Sequence, residues 1–165
     1  MEYASFLRDH IGNIIPVTDE EIDRIASYFT PVLVPKKALL LTCGELVSKE
    51  YLVVQGCMKS FMLNEDGREY IIQFALENWW ISDYPAYHSK TRSTTSIQAL
   101  EPCLVLELTV ENKEKLIQAF PQMGIFFGQK SFGGFVASQK RVLSLMKNSA
   151  KEKYELLLSQ YPELF

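Results

Sequence analysis

Two histidines, three cysteines and no apolar run of membrane-spanning length set the first limits on this sequence. His10 and His88 are far apart, so no histidine-rich metal cluster is expected. Cys43, Cys57 and Cys103 are odd in number, widely spaced and form no C-x-x-C pair. That pattern argues against a disulfide framework, an iron–sulfur cluster and a zinc site, and the three read as reduced core residues. Every apolar stretch falls well short of the roughly 20 residues needed to span a bilayer. The start, MEYASFLRDH, lacks the basic opening and long apolar run of a signal peptide. A cytoplasmic protein with no membrane partner is expected. The net charge of −3 carries no nucleic-acid footprint. The last quarter differs: residues 122–165 hold six basic against three acidic side chains, and residues 1–121 hold eleven against seventeen.

What the 165 residues do contain is enough apolar material for a core, 47% of the chain. Residues 4–11 read as a short helix. Thr18 reads as the N-cap of a second one, with Glu21 completing a capping box and Ile22, Ile25, Ala26 and Phe29 at helical spacing. The period then changes. Short strand-like runs at 32–34, 38–41 and 51–54 are broken by Pro31, Pro35 and Gly44. Residues 59–63 and 68–75 flank Asn64-Glu65-Asp66-Gly67 and predict a hairpin, because Asp-Gly supplies the left-handed residue of a tight turn. Further strands are expected at 94–100 and 103–108. Many short strands with turns between them suggest a small antiparallel barrel or sandwich.

Beyond Thr109 the helical period returns, at 110–120 and again, after Pro121, at 122–147. The second of these would be about 40 Å long at 1.5 Å per residue. Phe127, Phe135, Val142 and Met146 form its apolar stripe, and a stripe of that length predicts pairing with a second copy. Gly124, Gly128, Gly133 and Gly134 each cost such a helix about 1 kcal/mol relative to alanine. Close approach of a neighbouring backbone, or a bend at Gly133-Gly134, would account for them. Ser149 caps a last helix over residues 150–160.

Both tryptophans stand in the stretch ENWWISDYPAY, residues 77–87. Core filling, an interface or the lip of a ligand pocket would each explain them.

Helices, strand roll, short helix, long helix: with YLVVQGCMKSFMLNEDGREYIIQFALENWW, IQALEPCLVLELT and QKRVLSLMKNSAKEKYELLLSQYPELF, this order resembles the effector domain of the Crp/Fnr transcription regulators. The wording FALENWW resembles a Bacteroidetes-type branch. The resemblance implies an α+β fold: an antiparallel, jelly-roll-like β-roll of the cyclic-nucleotide-binding type, with N-terminal helices and a long C-terminal dimerisation helix. It divides the chain into residues 1–121, the roll; 122–148, the dimerisation helix; and 149–165, the start of a DNA-binding domain. The helix-turn-helix that follows such a segment in the family is absent from residues 1–165, so a fragment of a longer regulator is expected, touching DNA only through that missing part.

In the family a Gly-Glu pair and an Arg-Ser or Arg-Thr pair hold a cyclic phosphate and its ribose. Here Ser82-Asp83 stand in the first place. Arg92-Ser93 fit the second with one residue of slack; without it, Ser93 takes the arginine position. Ser82 adds a side chain where backbone would approach the ligand, and Asp83 is one methylene shorter than Glu. Trp80, with Tyr84, is a candidate wall of the pocket, or else the indoles plug the roll. Ser138 and Gln139 fall midway along the long helix, where the family contacts the base.

Two functions follow. One is the effector-sensing, dimerising part of a transcription regulator, with a cyclic nucleotide as the implied ligand of a degenerate cassette and the effector otherwise unknown. The other is an interaction module with a plugged pocket and no small-molecule ligand. No enzyme, metal or other cofactor is expected, since a cupin-like active site would need clustered His and carboxylates.

Overall fold

The computed structural model describes residues 3–162 and divides into two compact units, Met1–Met123 and Gly124–Phe165. The first unit opens with α1 (Ala4–Gly12) and α2 (Asp19–Ala26). The strands follow: β1 (Thr30–Val34), β2 (Leu39–Leu41), β3 (Lys49–Gln55), β4 (Met58–Leu63), β5 (Glu69–Ala75) and β6 (Trp80–Ile81). The short α3 (Tyr84–Ser89) precedes β7 (Ser96–Ala99), β8 (Cys103–Thr109) and α4 (Val110–Ala119). Next come α5 (Gln122–Lys147), which begins at the boundary, and α6 (Ala150–Gln160). Among the described residues no helix is long and apolar enough to cross a membrane.

The strands form two four-stranded antiparallel sheets, ordered β1-β8-β3-β6 and β2-β7-β4-β5. Alternation of side chains decides what each face does. Tyr51 and Val53 of β3, Cys103 and Val105 of β8 and Ile81 of β6 join Met58, Ala75, Ile97 and Ala99 in one buried cluster between the sheets. The neighbouring positions Leu52, Leu106 and Leu108 face the other way and are also fully buried. That outer face is covered: α1 and α2 bury Leu7, Ile11, Ile22 and Ile25 completely, and α4 buries Leu116. The expected β-roll with N-terminal helices and a long C-terminal helix is the observed fold.

Local chemistry sets the element ends. Thr18 Oγ1 accepts from the Glu21 amide at 3.2 Å, and Glu21 returns the bond to the Thr18 amide at 2.8 Å. Ser149 and Glu152 repeat the box at α6, at 3.3 and 2.7 Å. The β4–β5 turn closes on Gly67 at φ +76°, with the Asn64 side chain accepting from the Arg68 amide. Gly56 turns β3 into β4 at φ +93°, and a Cβ there would lie 2.8 Å from both Cys103 Sγ and the Pro102 carbonyl.

Candidate functional site

The stretch 80–95 begins as β6, which follows β5 in the chain and pairs with β3, forms α3 and leads through a loop to β7. β6 pairs with β3 through Tyr51↔Ile81 and Leu52↔Trp80, which turns Ile81 into the roll and Trp80 away from it. The indole therefore neither plugs the roll nor walls its interior. It donates Nε1–H to His10 Nε2 at 3.1 Å and packs on the His10 and Phe29 rings, with centroids 6.2 and 6.3 Å away. Trp79 is 40% exposed.

Asp83 is the centre of the segment. It caps α3, accepting from the Ala86 amide at 3.1 Å through Oδ1. Its Oδ2 accepts from Ser93 Oγ at 2.8 Å, the Thr94 amide at 3.0 Å and Thr95 Oγ1 at 3.1 Å. The carboxylate is only 4% exposed. Burial alone would raise its pKa; the hydrogen bonds from Ala86, Ser93, Thr94 and Thr95 outweigh it and hold the group below the usual carboxylate range. Ser82, also buried, gives its hydroxyl proton to the Lys49 carbonyl at 2.8 Å.

Arg92 does not join this group. It is exposed, pairs as an isolated bridge with Leu46, and donates Nη1–H to the Gly44 carbonyl at 2.8 Å. Ser93, its neighbour, lies against Asp83 instead. Tyr84 is 39% exposed, and burial of its hydroxyl end, then the Glu50 charge, lifts its pKa well above normal. Glu50, 4% exposed, takes the Lys113 ammonium at 2.7 Å. Tyr87 lies edge-on to Tyr84 at 6.2 Å with Lys113 over its ring. Two clefts flank the 45–48 segment, of about 250 Å³ beside Leu40, Glu45, Lys49 and Tyr51 and about 240 Å³ beside Lys90 and Val110. Burial, then Glu107 and Glu45, pushes the Tyr51 phenol up to about 12.

The arrangement holds an anion of its own. A phosphate brought to about 4 Å from the Asp83 carboxylate would meet a repulsion of about 4 kcal/mol at an effective dielectric near 20. Three lysines of this unit are already paired: Lys49 with Glu107, Lys59 with Glu69, Lys113 with Glu50. Sequence reasoning singled out Asp83 and Ser93, which the structure brings together, but not their companions Ala86, Thr94 and Thr95; Ser82, also singled out, bonds the Lys49 carbonyl instead. The signal for the hydroxyls was present as the run Ser93-Thr94-Thr95-Ser96, ten residues beyond the acid.

In the second unit, Phe127 is buried and packs edge-on against Phe126, so its ring is not free for a partner. Phe135, Val142 and Met146 are exposed, as are Ile125 and Phe132. Positions 125, 128, 132, 135, 139, 142 and 146 alternate steps of three and four, the spacing of a coiled-coil seam. Gln139 falls in this seam and Ser138 beside it. Gly128 also lies in the seam and Gly133 and Gly134 do not; none of the three has anything within 4 Å of where a Cβ would sit.

Residues 31–120 match the cyclic nucleotide-binding domain family. The cAMP-activated global transcriptional regulator CRP of Salmonella typhimurium is 23% identical over 108 residues, 66% of this chain and 51% of the relative. The Pasteurella multocida CRP is 24% identical over 89 residues, 54% and 43%. The chain thus spans about half the length of the curated relatives it matches. Among solved structures, a cyclic nucleotide-binding domain from Methylobacillus flagellatus superposes with TM-score 0.74 at 18% identity, over 90% of this chain and 87% of that one. With more than half its length inside the matched region and relatives among the Crp/Fnr regulators, this chain belongs to the cyclic nucleotide-binding domain family.

Proposed function

We propose that this chain is the regulatory, dimerising part of a Crp/Fnr-type transcription regulator, working as a homodimer. The observation that carries the reading is the seam of α5. Ile125, Phe132, Phe135, Val142 and Met146 recur at heptad spacing and every one is more than half exposed in the single chain. Burying them between two copies removes that area from water at roughly 25 cal/mol per Å². α5 has no acidic residue and four basic ones, so apolar contact rather than charge pairing along the helix would hold the pair. Gln139 opposite its twin would fix register at some cost in stability, as a polar residue in such a seam does. Contact with DNA is assigned to the remainder of such a regulator, in keeping with the half-length coverage of the relatives.

The test joins residues 1–165 to a helix-turn-helix head that holds its palindromic operator only as a dimer. The fusion is expected to occupy the operator, and Phe135→Glu to lose occupancy at least about tenfold, since a charge placed in the seam cannot be buried unpaired. Operator binding unchanged by that substitution would remove α5 as the interface.

The second reading, a dimerisation module with no small-molecule ligand, is favoured by one observation: the donors gathered at residues 83–95 already hold a carboxylate. Regulators of this fold answer to different molecules. The CLP protein of Xanthomonas campestris, described as c-di-GMP responsive, superposes at TM-score 0.70 with 14% identity, over 88% of this chain and 74% of that one.

A further inference from the structure

We propose that Asp83 is a built-in occupant of the cassette: its carboxylate takes the donor set that would otherwise receive an anionic effector, and so holds residues 82–95 closed with no phosphate ligand bound. The inference rests on the reading that this segment is the effector cassette of a regulator.

Three sets of contacts carry it. The first is the carboxylate itself. Four donors from both ends of the segment converge on it: the Ala86 amide, Ser93 Oγ, the Thr94 amide and Thr95 Oγ1. A carboxylate is acceptor-only, so it satisfies them together and leaves none facing outward. Ser93 is engaged further, since its oxygen accepts from the Thr95 amide at 3.1 Å and its proton is shared with the Thr95 carbonyl at 2.6 Å.

The second is the backbone zipper on the far end of the segment. The Gly44 amide donates to the Ser93 carbonyl at 2.8 Å and the Ser93 amide to the Glu45 carbonyl at 2.7 Å. The Val47 amide reaches the Thr91 carbonyl at 3.3 Å, and the Cys43 amide reaches Ser96 Oγ at 3.0 Å. Arg92, the cation that would have to swing in toward a phosphate, is fixed to Gly44 on the outside of that zipper. The third is the Glu50–Lys113 ion pair, whose ammonium also lies over the ring of Tyr87 in α3. The closed state is thus held from three sides by groups of the chain itself. A buried anion at its centre disfavours a second one beside it.

Amide hydrogen exchange and thermal unfolding of the whole chain test this, with cyclic AMP, cyclic GMP and inorganic phosphate as probes at matched ionic strength. In the unaltered protein the amides of Ala86 and Thr94 are expected to be protected, and no probe to change either their exchange or the melting temperature. Asp83→Ala is expected to speed exchange across 84–96 by about tenfold. Added formate, a carboxylate small enough for the vacated place, is expected to restore protection where chloride does not. A rise in melting temperature with any probe in the unaltered protein would overturn the proposal, and that measurement stands even if the variant fails to fold. Unchanged exchange in Asp83→Ala, or faster exchange that formate does not reverse, would also overturn it. Sedimentation of the same samples keeps the outcomes apart: loss of the dimer counts against the regulator reading, not against the occupied cassette.

Discussion

Asp83 shows how a single residue can be legible in type and illegible in role. The resemblance placed it where a family carboxylate meets a ribose. Which donors it would meet depends on how the 93–95 loop folds back, a long-range fact with no local pattern. Its lowered pKa gives a signed prediction. The unfolded carboxyl titrates near 3.9 and the folded one below that, so its stabilisation is present above about pH 4 and fades as pH falls through the folded value. Asp83→Asn keeps the shape but turns an NH₂ toward donors, and is expected to cost about 1–3 kcal/mol at neutral pH. At roughly 2–4 °C per kcal/mol for a chain of this size, melting temperature resolves it. The gap between the two proteins is expected to close as pH falls below about 4 and through the folded value; a gap independent of pH would show that the charge is not what matters. Gly56 is the opposite case, a residue whose need is steric. Ala there must accept both φ +93° and a contact 2.8 Å from a backbone carbonyl. A loss of about 1–3 kcal/mol in unfolding free energy, read from denaturant titration, is expected from the backbone conformation alone, before the clash.

At the scale of elements, the parts governed by neighbours in sequence could be read directly. Both helix caps of the S/T-x-x-E type, the Asp66-Gly67 turn and the limits of α5 and α6 fall where local chemistry puts them. β6 could not be read, because two residues become a strand only by pairing with β3 across about thirty positions of chain. Trp80 was misplaced for the same reason: its partner His10 is 70 residues away. In α5 the expected stripe included Phe127, which is buried against Phe126, whereas Ile125 and Phe132 are exposed and share the three-four spacing of Phe135, Val142 and Met146. The seam predicts that Gln139→Cys, in a Cys43→Ser background, forms a disulfide between copies on oxidation, while Lys140→Cys one position around the helix does not. Equal cross-linking of both would deny the register. Gly133 and Gly134 lie off the seam in open space, so alanine at both is expected to raise helix stability by about 1 kcal/mol each without changing association. Circular dichroism melts and sedimentation read the two effects separately, and a weakened dimer would show that these glycines admit a close backbone after all.

At the scale of the whole molecule, the first unit is a roll in which the donors of 83–95 hold the Asp83 carboxylate, and the second carries exposed Ile125, Phe132, Phe135, Val142 and Met146. Fold and family were legible because strand runs, turn residues and the long helix come in a distinctive order. The cassette's occupancy was not, since it is a property of tertiary geometry. The central claim is that the working unit is two copies joined along α5. Sedimentation equilibrium of the unaltered chain beside Phe135→Glu tests it most directly. The account predicts twice the chain mass for the first and a folded protein of single-chain mass for the second; a monomeric unaltered chain at high micromolar concentration, or a variant that remains a dimer, would contradict it.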